Sequence, residues 1–560
     1  MALYTIGIDF GTLSGRAVLV DVATGKEVAD AVLNYAHAVM DEELCDSGIA
    51  LPADFALQHP QDYADVLETV IPEVIRIGGV KKEEVIGICL DFTTCTMFPI
   101  RKDLTPLCFE EEFKNNPYAY VKLWKHHAAQ PYADRYNKRA EERKEPWLSR
   151  FGGKISSEWL FPKIWETLDK APEVYHAADA FIDAGDWVTA LLTGKITRGY
   201  SFAAYKGEYV DANGGWPSED FLGSLDETLR TVVKDKLYGK IVYGGEKVGE
   251  VTKEAAERFG LAEGTAVACP LPDAHIACAA MKQRNEGDMF GIFGTSACFM
   301  LINKQDVIVP GTCGTVKDGL TPGFYGYEAG LCCLGDHYAW VSENAVTPEY
   351  VREAEERGIP MIRLLCEKAA TQKPGEHGLL ALNWWNGNRN VLVDSALSGM
   401  FLGMNLTTKP EDLLRALIEA TAFGTRVIIE TYEANNVPVR HFVAGGGIAR
   451  KDPFTMQLFA DVLKRDIYVA ESKQIPALSG AIYAAVAAGK EAGGYDTYDE
   501  ACEVMGSPIH TVYHPNPAAS AVYDRLFAEY MTLHDYFGRG GNNVMKTLRA
   551  IRDEARAEQA

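Results

Sequence analysis

No uninterrupted apolar run in the 560 residues approaches the length of a membrane span, and Met1 leads within a few residues into strand-like sequence rather than a basic segment and an apolar leader. A membrane location is therefore not expected, and the cytoplasm is the expected compartment. Positive charge is also in short supply: Lys and Arg total 55 against 78 Asp and Glu, a formal charge of −23. With no net positive field to release phosphate counterions, no nucleic-acid partner is expected. The 12 cysteines form no zinc spacing. Cys89, Cys95, Cys269, Cys278 and Cys298 lie in apolar or Ala-rich segments where a free thiol packs as a small hydrophobe. The neighbours Cys332 and Cys333 suit neither metal nor disulfide geometry. Two nucleotide signatures are missing as well, since no G-x-x-x-x-G-K-[ST] runs into a helix and no G-x-G-x-x-G opens a βαβ unit at the N-terminal glycine turn.

What the sequence does have is an ordinary globular composition, 47% apolar and 24% charged, on a chain long enough for two or more cores. It opens on two β-type runs, Tyr4 to Ile8 and Ala17 to Asp21, around a turn rich in Gly, Ser and Thr. The glycines of such a turn allow close backbone approach, its N–H groups can face an anion, and Asp9 could hold a cation-bound water. Polyphosphate with Mg²⁺ fits this turn, although an ordinary N-terminal hairpin would read the same way. The theme returns at 289–302, where strand-like sequence flanks Gly294-Thr295-Ser296, half a chain later. Two matched hairpins suggest a duplicated core with a cleft between its halves. A third glycine element, Gly445-Gly446-Gly447, follows a strand-like run from Arg440 to Ala444, and Asp452 then reads as the N-cap of a helix through Leu463. Bare backbone there would let a flat nucleoside lie close, though a triplet of glycines is also a common flexible turn.

Between the hairpins, Pro270 and Pro272 end a strand and Asp273 opens an Ala-rich helix. An Asp in this position is often no more than a cap. Its place ahead of the second hairpin also suits a carboxylate that accepts the proton of a sugar hydroxyl as that oxygen attacks a γ-phosphorus. His275 reads as packing. A helix is expected over Tyr120 to Glu142, another after Pro162-Lys163-Ile164-Trp165, and the last 60 or so residues read as helical and peripheral.

In this order of motifs the chain resembles the FGGY family of carbohydrate kinases, from Gly7 to about Gly489. Asp91-Phe-Thr-Thr-Cys-Thr-Met97, Val121-Lys-Leu-Trp-Lys-His-His-Ala-Ala129, Gly153-Lys-Ile-Ser-Ser-Glu-Trp159 and Asn383-Trp-Trp-Asn-Gly-Asn-Arg389 look like the branch that phosphorylates L-ribulose. So do Tyr205-Lys206 and Gly214-Gly-Trp-Pro-Ser218. The resemblance implies an α/β fold of two duplicated actin-like, ribonuclease-H-like ATPase domains with the active site in the cleft between them. Residues 1–285 and 286–490 would form the domains, and 491–560 a helical extension. ATP and Mg²⁺ would be used, with the C5 hydroxyl of L-ribulose as acceptor; xylulose, ribitol or D-ribulose are alternative acceptors. An Hsp70-like or actin-like ATPase is the rival from another class. By the same resemblance Asp273 would be the base, and Thr94, Lys206 and Glu328 would line the sugar site with it. Asp9 would help hold the metal. Gly11, Thr12, Ser14 and Arg16 would form the first phosphate hairpin, Gly294, Thr295 and Ser296 the second, and Gly445 with Gly446 would meet the nucleoside. A homodimer is one assembly open to it. The chain departs from the common family pattern after Glu328, with Ala-Gly-Leu-Cys-Cys-Leu, and after Lys206, with Gly-Glu-Tyr.

Overall fold

A computed structural model describes residues 2–45 and 47–557. Two mixed sheets dominate it, and they share one plan. In the first, Tyr4–Phe10 pairs antiparallel with Ser14–Asp21, which pairs antiparallel with Glu27–Asn34. On its other side Tyr4–Phe10 runs parallel to Val85–Phe92, which is followed by the parallel Ala266–Ala268 and the antiparallel Lys247–Glu250. In the second, Asp288–Phe293 pairs antiparallel with Ala297–Asn303, and that strand with Tyr325–Leu331. Its other neighbours are the parallel His441–Gly445, the parallel Ile467–Ala470 and the antiparallel Ile509–Tyr513. Order and direction agree strand for strand, so the duplication suggested by the two glycine turns extends through both halves. This is the actin-like, ribonuclease-H-like fold, repeated.

Period-two alternation decides which side chains face the cleft. Ile6, Ile8 and Phe10, with Ile88, Leu90 and Phe92, pack under helix Pro60–Gly78 on one face of the first sheet. The opposite face carries Thr5, Gly7 and Asp9 on one strand, in register with Gly87, Cys89 and Asp91 on its neighbour. Helix Ile475–Ala488, from the second half, lies on that face. Thr5 Oγ1 donates to the Ala481 carbonyl at 2.9 Å. Gly7 has no room for anything larger, because a Cβ there would lie 1.7 Å from the Ala477 carbonyl oxygen. The small residues of this helix thus serve a backbone-to-backbone contact between halves. Beyond the end of the helix, on the same face, come Asp9 and Asp91.

A long excursion between Val85–Phe92 and Ala266–Ala268 builds a separate layer. Its small sheet joins Leu57–Gln58, Val121–Lys122, Met97–Ile100 and Ala180–Asp183 around an aromatic-rich core. Two expectations are corrected here. The helix placed over Tyr120 to Glu142 begins only at Gln130, with a proline in its first turn, because residues 121 and 122 are committed to the small sheet. The C-terminal segment is not merely peripheral. It supplies Ile509–Tyr513 to the edge of the second sheet, and Tyr523 and Tyr530 of helix Pro517–Gly538 are buried in the second core. Among the described residues no helix is long and apolar enough to cross a membrane, and all twelve cysteines are free thiols.

Candidate active site in the cleft

Three carboxylates converge where adjacent strands of the first sheet end. Asp9 stands in register with Asp91, and Leu271 and Pro272 pair in parallel with Asp91 and Phe92, which delivers Asp273 one residue further on. Asp91 is fully buried, and among the described residues no donor group meets its oxygens, which face the carboxyl of Asp9. Burial, with the negative charges of Asp9 and Asp273, pushes its carboxyl well above the usual range. Burial raises Asp9 too, against the pull of Arg16 across the hairpin at 3.6 Å. Such a pair of poorly compensated carboxylates is what a divalent cation would neutralise. Asp91 escaped the sequence reading as a site residue. Its signal was present, since both strands end in Asp-Phe, and Phe10 stacks on Phe92 with ring centroids 4.4 Å apart.

Asp273 opens a short helical turn, Asp273–Ile276, with Pro272 rather than Asp273 at the cap position. Its Oδ1 accepts from the Ala274 N–H at 2.6 Å. Desolvation, then the charge of Asp9, pushes its carboxyl up to about 7, with Glu328 adding from the other half. A carboxylate poised there can both hold and release a proton near neutrality.

The glycine turns lie on either side. In the first, Gly11 N–H donates to the Ser14 carbonyl at 3.0 Å, Thr12 Oγ1 accepts from Trp124 Nε1 at 3.2 Å, and Arg16 reaches Ser14 Oγ at 3.2 Å. In the second, Gly294 N–H donates to the Ser296 carbonyl at 3.0 Å. The backbone N–H groups of Leu334 and Gly335 donate back to the Thr295 and Gly294 carbonyls at 2.8 and 3.0 Å. The glycine triplet abuts this turn. Gly445 pairs with Ile292, and Gly446 takes φ 94°, where a Cβ would meet the Phe293 carbonyl oxygen at 2.7 Å. Nothing stands within 4 Å of where a Gly447 Cβ would be, so the surface is open. Asp452 caps helix Pro453–Leu463 as its sequence suggests.

Behind Asp273 an ion pair crosses the cleft. Lys206, at the end of helix Tyr200–Lys206, meets Glu328 of strand Tyr325–Leu331 at 2.9 and 3.1 Å. Burial alone would lower Lys206 and raise Glu328; their mutual attraction reverses both, holding Lys206 above and Glu328 well below their ordinary ranges. His275 corrects the reading of a packing residue, for its Nε2 lies 3.2 Å from Glu328 and its Nδ1 3.0 Å from Ser201 Oγ. Burial keeps the ring below its ordinary pKa, against the pull of Glu328. Thr94 Oγ1 is buried and has no partner in the structure.

Profiles of known families match the chain in two parts. Residues 4–279 match the N-terminal domain, and residues 289–488 the C-terminal domain, of the FGGY family of carbohydrate kinases. The chain belongs to that family. As an FGGY kinase it is a phosphotransferase with a sugar hydroxyl as acceptor and ATP as donor. Similar proteins include the ribulokinase of Halalkalibacterium halodurans, 48% identical over 98% of this chain and 97% of the relative. That of Bacillus licheniformis is 49% identical over 97% and 98%. Among solved structures, the xylulose kinase of Rhodospirillum rubrum superposes with a TM-score of 0.76 at 22% identity, covering 95% of this chain and 98% of that one. The gluconate kinase of Lactobacillus acidophilus gives 0.78 at 18% identity, covering 96% and 99%. At such identities these two speak for the fold alone.

Proposed function

We propose that the enzyme transfers the γ-phosphoryl group of ATP to the C5 hydroxyl of L-ribulose, with Asp273 as general base. The observation that carries this reading is the position of Asp273, which feels Asp9 from the first half and Glu328 from the second while its carboxyl is held near neutrality. A base between the two phosphate turns and the sugar-binding pair can take the hydroxyl proton as the oxygen advances on phosphorus. The choice of L-ribulose rests on the long, near-full-length similarity to ribulokinases.

In this mechanism Lys206 and Glu328 hold adjacent sugar hydroxyls through directional, charge-assisted hydrogen bonds, and Thr94 offers its unpartnered hydroxyl to a third. A pocket built on such bonds rejects sugars lacking the matching hydroxyl, because its own polar groups would be left unpaired. Gly11, Thr12, Ser14 and Arg16 on one side, and Gly294, Thr295 and Ser296 on the other, would cradle the phosphates, with Gly445 and Gly446 under the nucleoside. The donor set of Asp9 and Asp91 suits Mg²⁺, which when bound supplies charge neutralisation to the triphosphate. Residues 1–285 and 286–490 would act as the two closing domains, excluding water from the transfer. Residues 491–560 would extend the second of them. The expected setting is the cytoplasm, with a homodimer as one assembly open to it.

An ADP-release assay over L-ribulose, D-ribulose, xylulose and ribitol tests the assignment. Turnover with L-ribulose at the highest kcat/KM is expected. Preference for another member by more than tenfold would move the assignment to that sugar, and sugar-independent ATP hydrolysis would refute a sugar kinase.

A further inference from the structure

Helix Leu160–Lys170 buries an uncommon row of polar side chains, Lys163, Glu166 and Thr167. Two of them have conventional partners. Glu166 accepts from Lys122 Nζ at 2.5 Å and contacts His126 Nε2 at 3.0 Å, and Thr167 Oγ1 receives a third bond from Lys122. Lys163 differs. Its side chain has no exposure at all, yet its Nζ meets no carboxylate; it donates to the carbonyls of Cys95 at 2.7 Å and Leu123 at 2.8 Å. Enclosing an ammonium on two neutral carbonyls carries a desolvation cost that no carboxylate in contact with it offsets.

The two carbonyls lie at informative places. Cys95 ends the Thr94–Cys95 turn in the left-handed region, φ 55°, a conformation that a non-glycine residue keeps only when its surroundings impose it. The Cys95 thiol in turn faces the Lys206 carbonyl at 3.7 Å. Leu123 precedes Trp124, whose indole N–H holds the Thr12 hydroxyl, while Gln58 Nε2 fixes the Thr12 carbonyl at 2.7 Å. One ammonium therefore joins the turn carrying Thr94 to the segment that steadies the first glycine turn.

We propose that Lys163 is a positioning residue for phosphoryl transfer, locking the Thr94–Cys95 turn against the Leu123–Trp124 segment so that acceptor and donor sites in the first half keep one fixed spacing. The proposal rests on the reading of Thr94 as a sugar contact and of Thr12 as part of a phosphate turn. Catalysis tolerates little slack here, since displacing a reacting group by about 1 Å can cost about a hundredfold in rate. Burial brings the Lys163 ammonium down to about 8. The groups facing it are the Cys95 thiol, Glu158, Lys122 and Asp183, with Glu166 and His126 behind Lys122. Above that pH the group becomes a neutral amine, whose bonds to the two carbonyls are weaker than those of the ammonium, and the lock loosens.

The test compares wild type, Lys163→Met and Lys163→Arg in steady-state kinetics for L-ribulose and ATP between pH 6 and 10. In Lys163→Met, kcat/KM for the sugar is expected to fall about a hundredfold with KM raised for both substrates. Wild type should lose sugar kcat/KM as pH rises through about 8. Lys163→Arg, which stays charged, should keep activity and lose that alkaline limb. A folded Lys163→Met with a lowered unfolding midpoint but unchanged constants would make the residue merely structural and overturn the proposal, as would an alkaline limb surviving in Lys163→Arg. If neither variant folds, a wild-type profile flat from pH 7 to 9 overturns it. Failure of the substrate reading is seen separately, as wild-type turnover on another sugar, and the same three proteins are then compared on that sugar.

Discussion

Replacing Asp273 by Asn should pull activity and stability in opposite directions. The substitution keeps the shape and the acceptor for the Ala274 N–H but removes the proton acceptor, so kcat should fall by about 10²–10⁴-fold while ATP still binds. The stability change follows from the same carboxyl. Folding takes it from its ordinary 3.8 up to about 7, which at 1.36 kcal/mol per pH unit corresponds to about 4 kcal/mol. The side chain is partly exposed to the cleft, and solvent screening trims this to about 1–3 kcal/mol. The folded chain prefers the acid form, so the cost of the ionised group builds from pH 3.8 upward and is complete above pH 7. Asp273→Asn should therefore be more stable than wild type at pH 8 and show no advantage below pH 3.8. Urea unfolding at the two pH values measures this, and coupled ADP release measures kcat. In wild type, with half the base ionised near pH 7, kcat/KM should rise about fivefold from pH 6 to pH 7, ahead of the fall through about 8 assigned to Lys163. A variant that retains more than a tenth of kcat, or is less stable than wild type at pH 8, would refute the reasoning that this buried acid is maintained for proton transfer.

Lys206→Met leaves the buried Glu328 carboxylate with only His275 to meet it; a loss of about 3–5 kcal/mol is expected in denaturant melts, with sugar-dependent turnover abolished. Adding Glu328→Gln should recover most of the stability and none of the activity. Gly446→Ala places a methyl 2.7 Å from the Phe293 carbonyl at φ 94°; a cost of about 1–3 kcal/mol and a raised KM for ATP with little change in KM for sugar are expected. Chelation of divalent ions should abolish ADP release, and Asp91→Asn should raise the Mg²⁺ concentration needed to restore it, read from activity against free Mg²⁺.

Much of this was visible in the residues before the structure. Glycine turns between short β runs are local features, and local features survive reading in one dimension; both hairpins and the capped helix at Asp452 stand where the chain places them. The contacts of His275 and Asp91 were not visible, because each depends on a register between segments far apart in sequence. Asp91 acquires its meaning only when Val85–Phe92 lies parallel to Tyr4–Phe10, and His275 only when Glu328 comes across from the other half. The helix drawn over Tyr120 to Glu142 failed for a related reason. Its first residues have adequate helical pattern, and pairing with Leu57–Gln58 overrides it. The Lys206–Glu328 pair came from family resemblance and not from any physical signal in the sequence, since an isolated Lys and Glu more than a hundred residues apart predict nothing.

Helix Ile475–Ala488 belongs to one half by sequence and to the other by contact, its backbone seated on Gly7 and Gly87 of the opposite sheet. The N-terminal half thus cannot be cut out as a self-sufficient protein: a fragment ending before Ile475 would leave one side of its sheet open to water and prone to clumping. The seat also limits how the jaws travel. With glycine backbones already touching, any sliding of this helix along the N-terminal sheet would drive its carbonyl oxygens into the bare Cα atoms of Gly7 and Gly87.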